Sequence, residues 1–193
     1  PAPPAESAKG TKSKTAAYGS AEHRAAWEQF VKRTDPHERK LGNVVAELFR
    51  AQQADVLKRL RAGKSIRKDA ETVADNPFDR EQWEKEFREQ VKPVLQEIIA
   101  DAGNAAMDDL GVGIAFDVLE PAGLEFLNER NQRFAQAVNE TTWQQLKDSL
   151  TEGLGNGESI PDLAARVESV MGDRIRSSGE TIARSEVIGA SNG

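Results

Sequence analysis

The sequence predicts an all-α chain, an extended multi-helix assembly with a long kinked helix, a small C-terminal helical module and at most one short strand-like segment. Three observations carry that reading. Apolar residues recur at helical spacing, in Leu41, Val44, Val45, Leu48, Phe49, Val56, Leu57 and Leu60 and again in Trp83, Phe87, Val91, Val94, Leu95, Ile98 and Ile99. Helix-start residues stand ahead of such runs and glycines behind them. Only "GVGIAFDV", residues 111–118, has strand-like character, and it reads equally well as an extended loop.

Residues 1–19, "PAPPAESAKGTKSKTAAYG", carry one aromatic side chain, Tyr18, among Pro, Ala, Ser, Thr and Lys. They offer too little apolar surface to offset the entropy of ordering, so they read as a flexible linker or arm. Residues 20–63 read as a basic pair of helices. Ser20 caps the first, which carries Trp27, Phe30 and Val31; Asp35 caps the second, with Pro36 in its first turn and Glu38 reaching back. Gly63 is its stop. Residues 64–76 lack apolar periodicity and read as a connection. Residues 77–115 hold the long helix, whose apolar side extends to Ala102 and Ala106, and Pro93 inside it predicts the kink.

Residues 116–193 form the C-terminal module. Helices are expected over 121–138, on Leu124, Leu127 and Phe134, and over 140–154, on Trp143, Leu146 and Leu150. "GLGNGESIPD" then breaks the pattern with three glycines. Ser159, followed three residues later by Asp162, makes a capping box for the helix over 160–171, and Gly172 is its stop. A last helix over 180–190 lines up Ile182, Ala183, Val187 and Ala190. No later residues are present to cover that side, so it is expected to be bare. More broadly, much of the apolar surface of the long helices is expected to be covered only in an assembly.

The totals narrow the function classes. The 193 residues contain no cysteine, which excludes disulfides and zinc–thiolate chemistry. No apolar run approaches the ~18 residues of a membrane span, so no membrane partner is expected. The net charge of −6 hides a split: 15 Lys+Arg against 7 Asp+Glu over residues 1–68, then 11 against 25 over 69–193. The basic positions Lys9, Lys12 and Lys14 in the arm, with Lys58, Arg59, Arg61, Lys64, Arg67 and Lys68, are candidates to touch DNA or an acidic partner. The competing reading packs the basic helices against the acidic body of the same chain.

Tests for chemistry come back negative. "AGKS", residues 62–65, has Lys58 where a phosphate loop needs glycine, and it follows a helix instead of a strand. His23 and His37 have no ligand partner at helical spacing. The Asp108–Asp109 pair fits a solvated face, and "GVG" at 111–113 lacks the third glycine of a dinucleotide site. Trp27, Phe30 and Phe49 have the spacing of core packing. No enzyme, cofactor or metal site is expected.

Against this background three stretches stand out together: "VNETTWQQLKDSLTEGL", then "GNGESIPDLAARV", then "ETIARSEVIGASNG". Over 126–193, and more loosely from Phe116, the chain resembles the phage head morphogenesis family, the Mu F-like minor head proteins. The first hundred residues resemble the helical segments upstream of that module, which in many phages follow or are fused to a portal protein. The resemblance implies a structural virion protein, placed inside the head near the portal vertex and in the host cytoplasm during assembly. It also implies the portal and other head proteins as partners, with packaged DNA nearby, and an oligomeric setting.

By position, Ile182, Ala183, Arg184, Ser185, Glu186 and Asn192 are the family signature. They form no catalytic set. Arg184, Ser185 and Glu186 are expected to tie their helix to its neighbours by charge-assisted hydrogen bonds. Typical members continue past this helix, and the chain opens on Pro1, so a piece of something longer is expected. Two other functions are consistent with the residues: a carrier module for a downstream effector or toxin domain, and a cellular helical adaptor unrelated to phage.

Overall fold

Ser20 opens the first helix by accepting the His23 N–H on its hydroxyl at 3.0 Å. The computed structural model describes residues 20–62, 66–111 and 113–191. Among them are six α-helices and one π-helical turn, and no strand. The α-helices are α1 (Ala21–Ala62), α2 (Ile66–Asp75), α3 (Arg80–Asp109), α4 (Pro121–Gly155), α5 (Ile160–Asp173) and α6 (Gly179–Ser191). The π turn, Arg174–Ser178, joins α5 to α6.

The chain divides into two compact units, Pro1–Arg33 and Thr34–Gly193. In the first, the rings of Trp27 and Phe30 stack at 5.6 Å and 22°, and the Arg33 guanidinium lies 5.7 Å from the Phe30 centroid. Trp27 and Val31 remain exposed. Lys9, Lys12 and Lys14, together with Lys64 and Asn192, lie outside the described residues, as do the side chains of Arg67 and Lys68.

The expected helix pair is a single helix, α1. Asp35 is not an N-cap: α1 runs through it and Pro36, and Asp35 pairs instead with Arg39 one turn on, at 2.8 Å. Pro36 removes one bond, to the carbonyl of Lys32. The buried row Leu41, Val45, Leu48, Phe49, Val56 and Leu60 holds the helix beyond it. A start signal inside a longer apolar pattern need not start anything. The supposed connection over 64–76 contains α2, whose core side is Ala70, Val73 and Ala74. Two of those three are small, which is why no period showed.

Asp79 caps α3 by accepting the Gln82 N–H at 3.1 Å. Trp83, Phe87, Val91, Val94, Leu95, Ile98 and Ile99 are buried on one side, and Pro93 lies within the helix. That side ends at Ile99, for Ala106 is exposed. Phe87 meets Phe49 of α1 with ring centroids 5.7 Å apart and tilted 59°. The loop after α3 folds back on it. Asn104 Oδ1 accepts the Phe116 N–H at 2.9 Å, and the Phe116 ring lies on Gly103, where a β-carbon would come within 2.3 Å of it.

The two helices expected over 121–154 are also one. The break expected at residue 139 is absent, although Asn and Thr in helix interiors compete for backbone bonds. Here Thr141 and Thr142 donate to the carbonyls of Ala137 and Val138, both at 2.8 Å, and Asn139 is buried. Its Oδ1 accepts from Gln52 of α1 at 3.1 Å. Gly172 does not stop α5, which reaches Asp173 and passes through the π turn into α6.

The apolar side of α6 is not bare. Ala183 and Val187 are fully buried in the same core as Phe134 of α4 and Met171 of α5, and α6 packs on α3. The long helices likewise bury their apolar sides within the chain, Leu95, Ile98, Leu127, Leu146, Leu150 and Leu163 being nearly or wholly inaccessible. Each such residue contributes ~1.5–3 kcal/mol of transfer free energy, so the expectation of coverage only in an assembly is overturned for them.

Candidate functional site

The Ser159 box sets up everything after α4. Ser159 accepts the Asp162 N–H at 3.4 Å, and Asp162 accepts the Ser159 N–H at 3.1 Å and its hydroxyl at 2.5 Å. These donors hold the Asp162 carboxyl below the usual aspartate range. Gly157, at φ 75°, makes the left-handed turn that precedes it. Arg166 then clasps Glu158 with two nitrogens, at 2.7 and 2.8 Å, and reaches Glu152 and the Ser149 carbonyl of α4. That hydrogen bonding, ahead of all else, lowers the Glu158 pKa and raises that of Arg166. α5 therefore leaves α4 at a fixed angle.

The π turn and α6 follow, and α6 stands between two clefts. The first, about 480 Å³, is floored by Phe134, Ala137, Val138 and Ile182, edged by Thr141, Thr181 and Ser185, and bounded by Arg130, Arg133, Arg174 and Glu186. The second, about 500 Å³, includes Glu38, Arg39, Asn43, Arg50, Arg176 and Arg184 in its wall. Insertion of one extra residue per turn is what a π segment does, and such turns recur at functional sites. Here Arg174 lines the first cleft and Arg176 the second.

Two of the signature side chains bridge to other helices. The Arg130 guanidinium of α4 lies 3.1 Å from a Glu186 carboxylate oxygen and donates to the Glu186 carbonyl at 2.9 Å. Both side chains are mostly buried. Arg184 pairs with Glu38 of α1 at 3.2 Å, with Glu38 sheltered and Arg184 largely exposed. Ile182 is half-buried and Ala183 fully buried, while Ser185 is exposed at the first cleft. The small residue after the signature also has a reason. A β-carbon on Gly189 would come within 2.3 Å of the Arg130 guanidinium.

Sequence reasoning missed Arg130, Arg133 and Arg174. Arg174 donates to the Thr142 hydroxyl at 3.1 Å and the Val138 carbonyl at 3.3 Å, and its guanidinium lies 5.4 Å from the Phe49 centroid. Burial lowers its pKa, although a guanidinium stays charged in water. No spacing rule links residues 130, 174 and 186; only the fold brings them together.

Of the basic positions proposed near the end of α1, Lys58 is exposed, Arg59 donates to the Pro77 carbonyl at 2.9 Å, and Arg61 lies 3.9 Å from Glu168. Elsewhere Lys40 bonds Glu97 of α3 through both carboxylate oxygens, at 2.5 and 2.7 Å, and His37 lies 3.3 Å from Asp101. Several basic groups of α1 thus face acidic groups of the same unit. Among the described residues no cluster of His, Asp or Glu is placed to hold a metal ion, and no helix is long and apolar enough to cross a membrane.

No family model matches the chain. No solved structure matches it either. It is similar to the uncharacterized protein YqbB of Bacillus subtilis (strain 168), with 27% identity over an alignment of 157 residues that covers 77% of this chain and 50% of that protein. The chain spans about half the length of that relative.

Proposed function

We propose that the chain is a structural minor head protein of a tailed phage, or a portal-linked extension of one. It acts in head assembly and portal-vertex organisation through protein–protein contacts. The supporting observation is how the "IARSE" residues of α6 are used. Ala183 is core, Arg184 reaches α1, Glu186 holds Arg130 of α4, and Ser185 faces a cleft. Side chains spent on fixing a helix and shaping a surface serve docking, and the resemblance over 126–193 supplies the setting. Packaged DNA is a secondary partner, with Lys58 and Arg61 the exposed candidates on α1.

Purified heads from the source phage, digested and read by mass spectrometry, test the reading. Peptides of this chain are expected in the heads, and the tagged chain is expected to capture the portal protein encoded by the same genome. Heads free of such peptides, together with no portal capture, contradict it.

A further inference from the structure

We propose that the arginine-rimmed cleft beside α6 receives the loop between α3 and α4 of a second copy of this chain. The loop is the apolar partner. Leu110, Ile114 and Leu119 are 74%, 69% and 57% exposed, three of the five large apolar side chains left in water among the described residues. The Phe116 N–H is bonded to Asn104, the Phe116 ring lies on Gly103, Val118 is buried, and Asp117 accepts the Leu119 N–H at 2.8 Å. The second half of the loop is thus pinned at Phe116 and Val118, with Leu119 left outward.

Its charge is one-sided. Between Lys92 and Arg130 the sequence holds eight Asp or Glu and no Lys or Arg. Asp108, Asp109, Asp117 and Glu120 flank the three exposed apolar residues directly.

The cleft has the opposite character. It is concave, apolar at its floor through Phe134 and Ile182, and carries an excess of guanidinium groups: Arg130 is paired with Glu186, Arg133 is exposed and lies 3.5 Å from Glu129, and Arg174 bonds Thr142 and Val138. Exposed apolar side chains among carboxylates complement an apolar hollow with an excess of guanidinium groups in both polarity and sign.

The occupant is a second copy, because the loop cannot reach the cleft of its own chain. Leu119 immediately precedes α4, whereas the α4 residues of the cleft run from Arg130 to Thr141. At 1.5 Å per residue they lie ~15–30 Å along the helix from the loop. Both surfaces belong to the unit Thr34–Gly193. Each copy therefore offers one loop and one hollow, a contact that a neighbour returns in a dimer or passes on in a ring.

The experiment measures the mass of the full chain by light scattering after size exclusion, at up to about 100 µM. Two variants carry changes at exposed positions only: Leu110→Ser with Ile114→Asp in the loop, and Arg133→Glu with Ser185→Trp in the cleft. Circular dichroism checks that both stay folded. The natural sequence is expected to self-associate, at least tenfold more weakly in about 0.5 M salt, where exposed charges are screened. Each variant alone is expected to be monomeric, and an equimolar mixture of the two to form a heterodimer, since one intact loop then meets one intact hollow. A monomeric natural chain at that concentration overturns the proposal and leaves the cleft to another protein. Variants that associate like the natural chain overturn it too, as does a mixture that stays monomeric.

Discussion

The α4–α5 turn and helix α6 are held in place by opposite means. The turn is tied by neighbours in sequence: Ser159 to Asp162 three residues on, and Arg166 to Glu158 eight residues back. α6 is tied by remote groups, Arg130 lying 56 residues before Glu186 and Glu38 lying 146 before Arg184. Its apolar anchors, Ala183 and Val187, are likewise buried in the common core. The turn can form as soon as its own residues are present. α6 gains stability only once α1, α3 and α4 are assembled, so it belongs to the least self-sufficient part of the fold.

The largest test of that difference is Val187→Asp. A carboxylate at a fully buried position is expected to cost about 3 kcal/mol or more in urea unfolding. Hydrogen exchange should show α6 losing protection while the α4–α5 turn keeps its own. Ser185→Asp, on the exposed side of the same helix, is expected to change stability by no more than about 0.5 kcal/mol. Equal losses for the two changes would mean that α6 is not seated as described.

Next comes Arg130→Met, which removes the mostly buried partner of Glu186. A loss of about 1.5–3 kcal/mol is expected, because a charge-assisted hydrogen bond goes and a sheltered carboxylate is left behind. Arg184→Ala is the smaller companion. Its guanidinium is largely exposed, so the change is expected to cost less than about 1 kcal/mol by thermal melting.

Acid sharpens the comparison from the side of the turn. The carboxyls of Glu158 and Asp162 titrate below their ordinary values of 4.5 and 3.8, the first because Arg166 donates to it and the second because Ser159 does. A depressed folded pKa gives stability that is present above the unfolded value and lost as pH falls through the folded one. Exchange protection around the turn is therefore expected to hold at pH 5 and to fall progressively below about pH 4.5. Protection unchanged down to pH 3 would contradict the clasp.

The same contrast explains what could be read from the chain. The capping box at Ser159 and Asp162 was legible because its signal is local, and the apolar row from Trp83 to Ile99 because it repeats. Asp35 misled because "DPHE" is a local start signal that a stronger non-local pattern overrides. The break expected at residue 139 is absent because Asn139 and Thr142 are buried polar groups whose bonds serve packing. In α6 the signature could be recognised as a string, but its partners Arg130 and Glu38 could not. Nothing near them in sequence marks them as facing residues 184 and 186. The expectation that α6 would be bare failed likewise, since its cover comes from earlier helices.

Under the proposed docking role, the signature residues act through the fold and the surface it presents. Exchanging the charges of one tie, Arg130→Glu with Glu186→Arg, tests this most directly, with melting temperature and portal capture read on both single variants and the double. Each single change is expected to lower both readings, and the double to recover both. Recovery of the melting temperature without recovery of capture would show that these side chains meet the partner themselves, and would contradict the account.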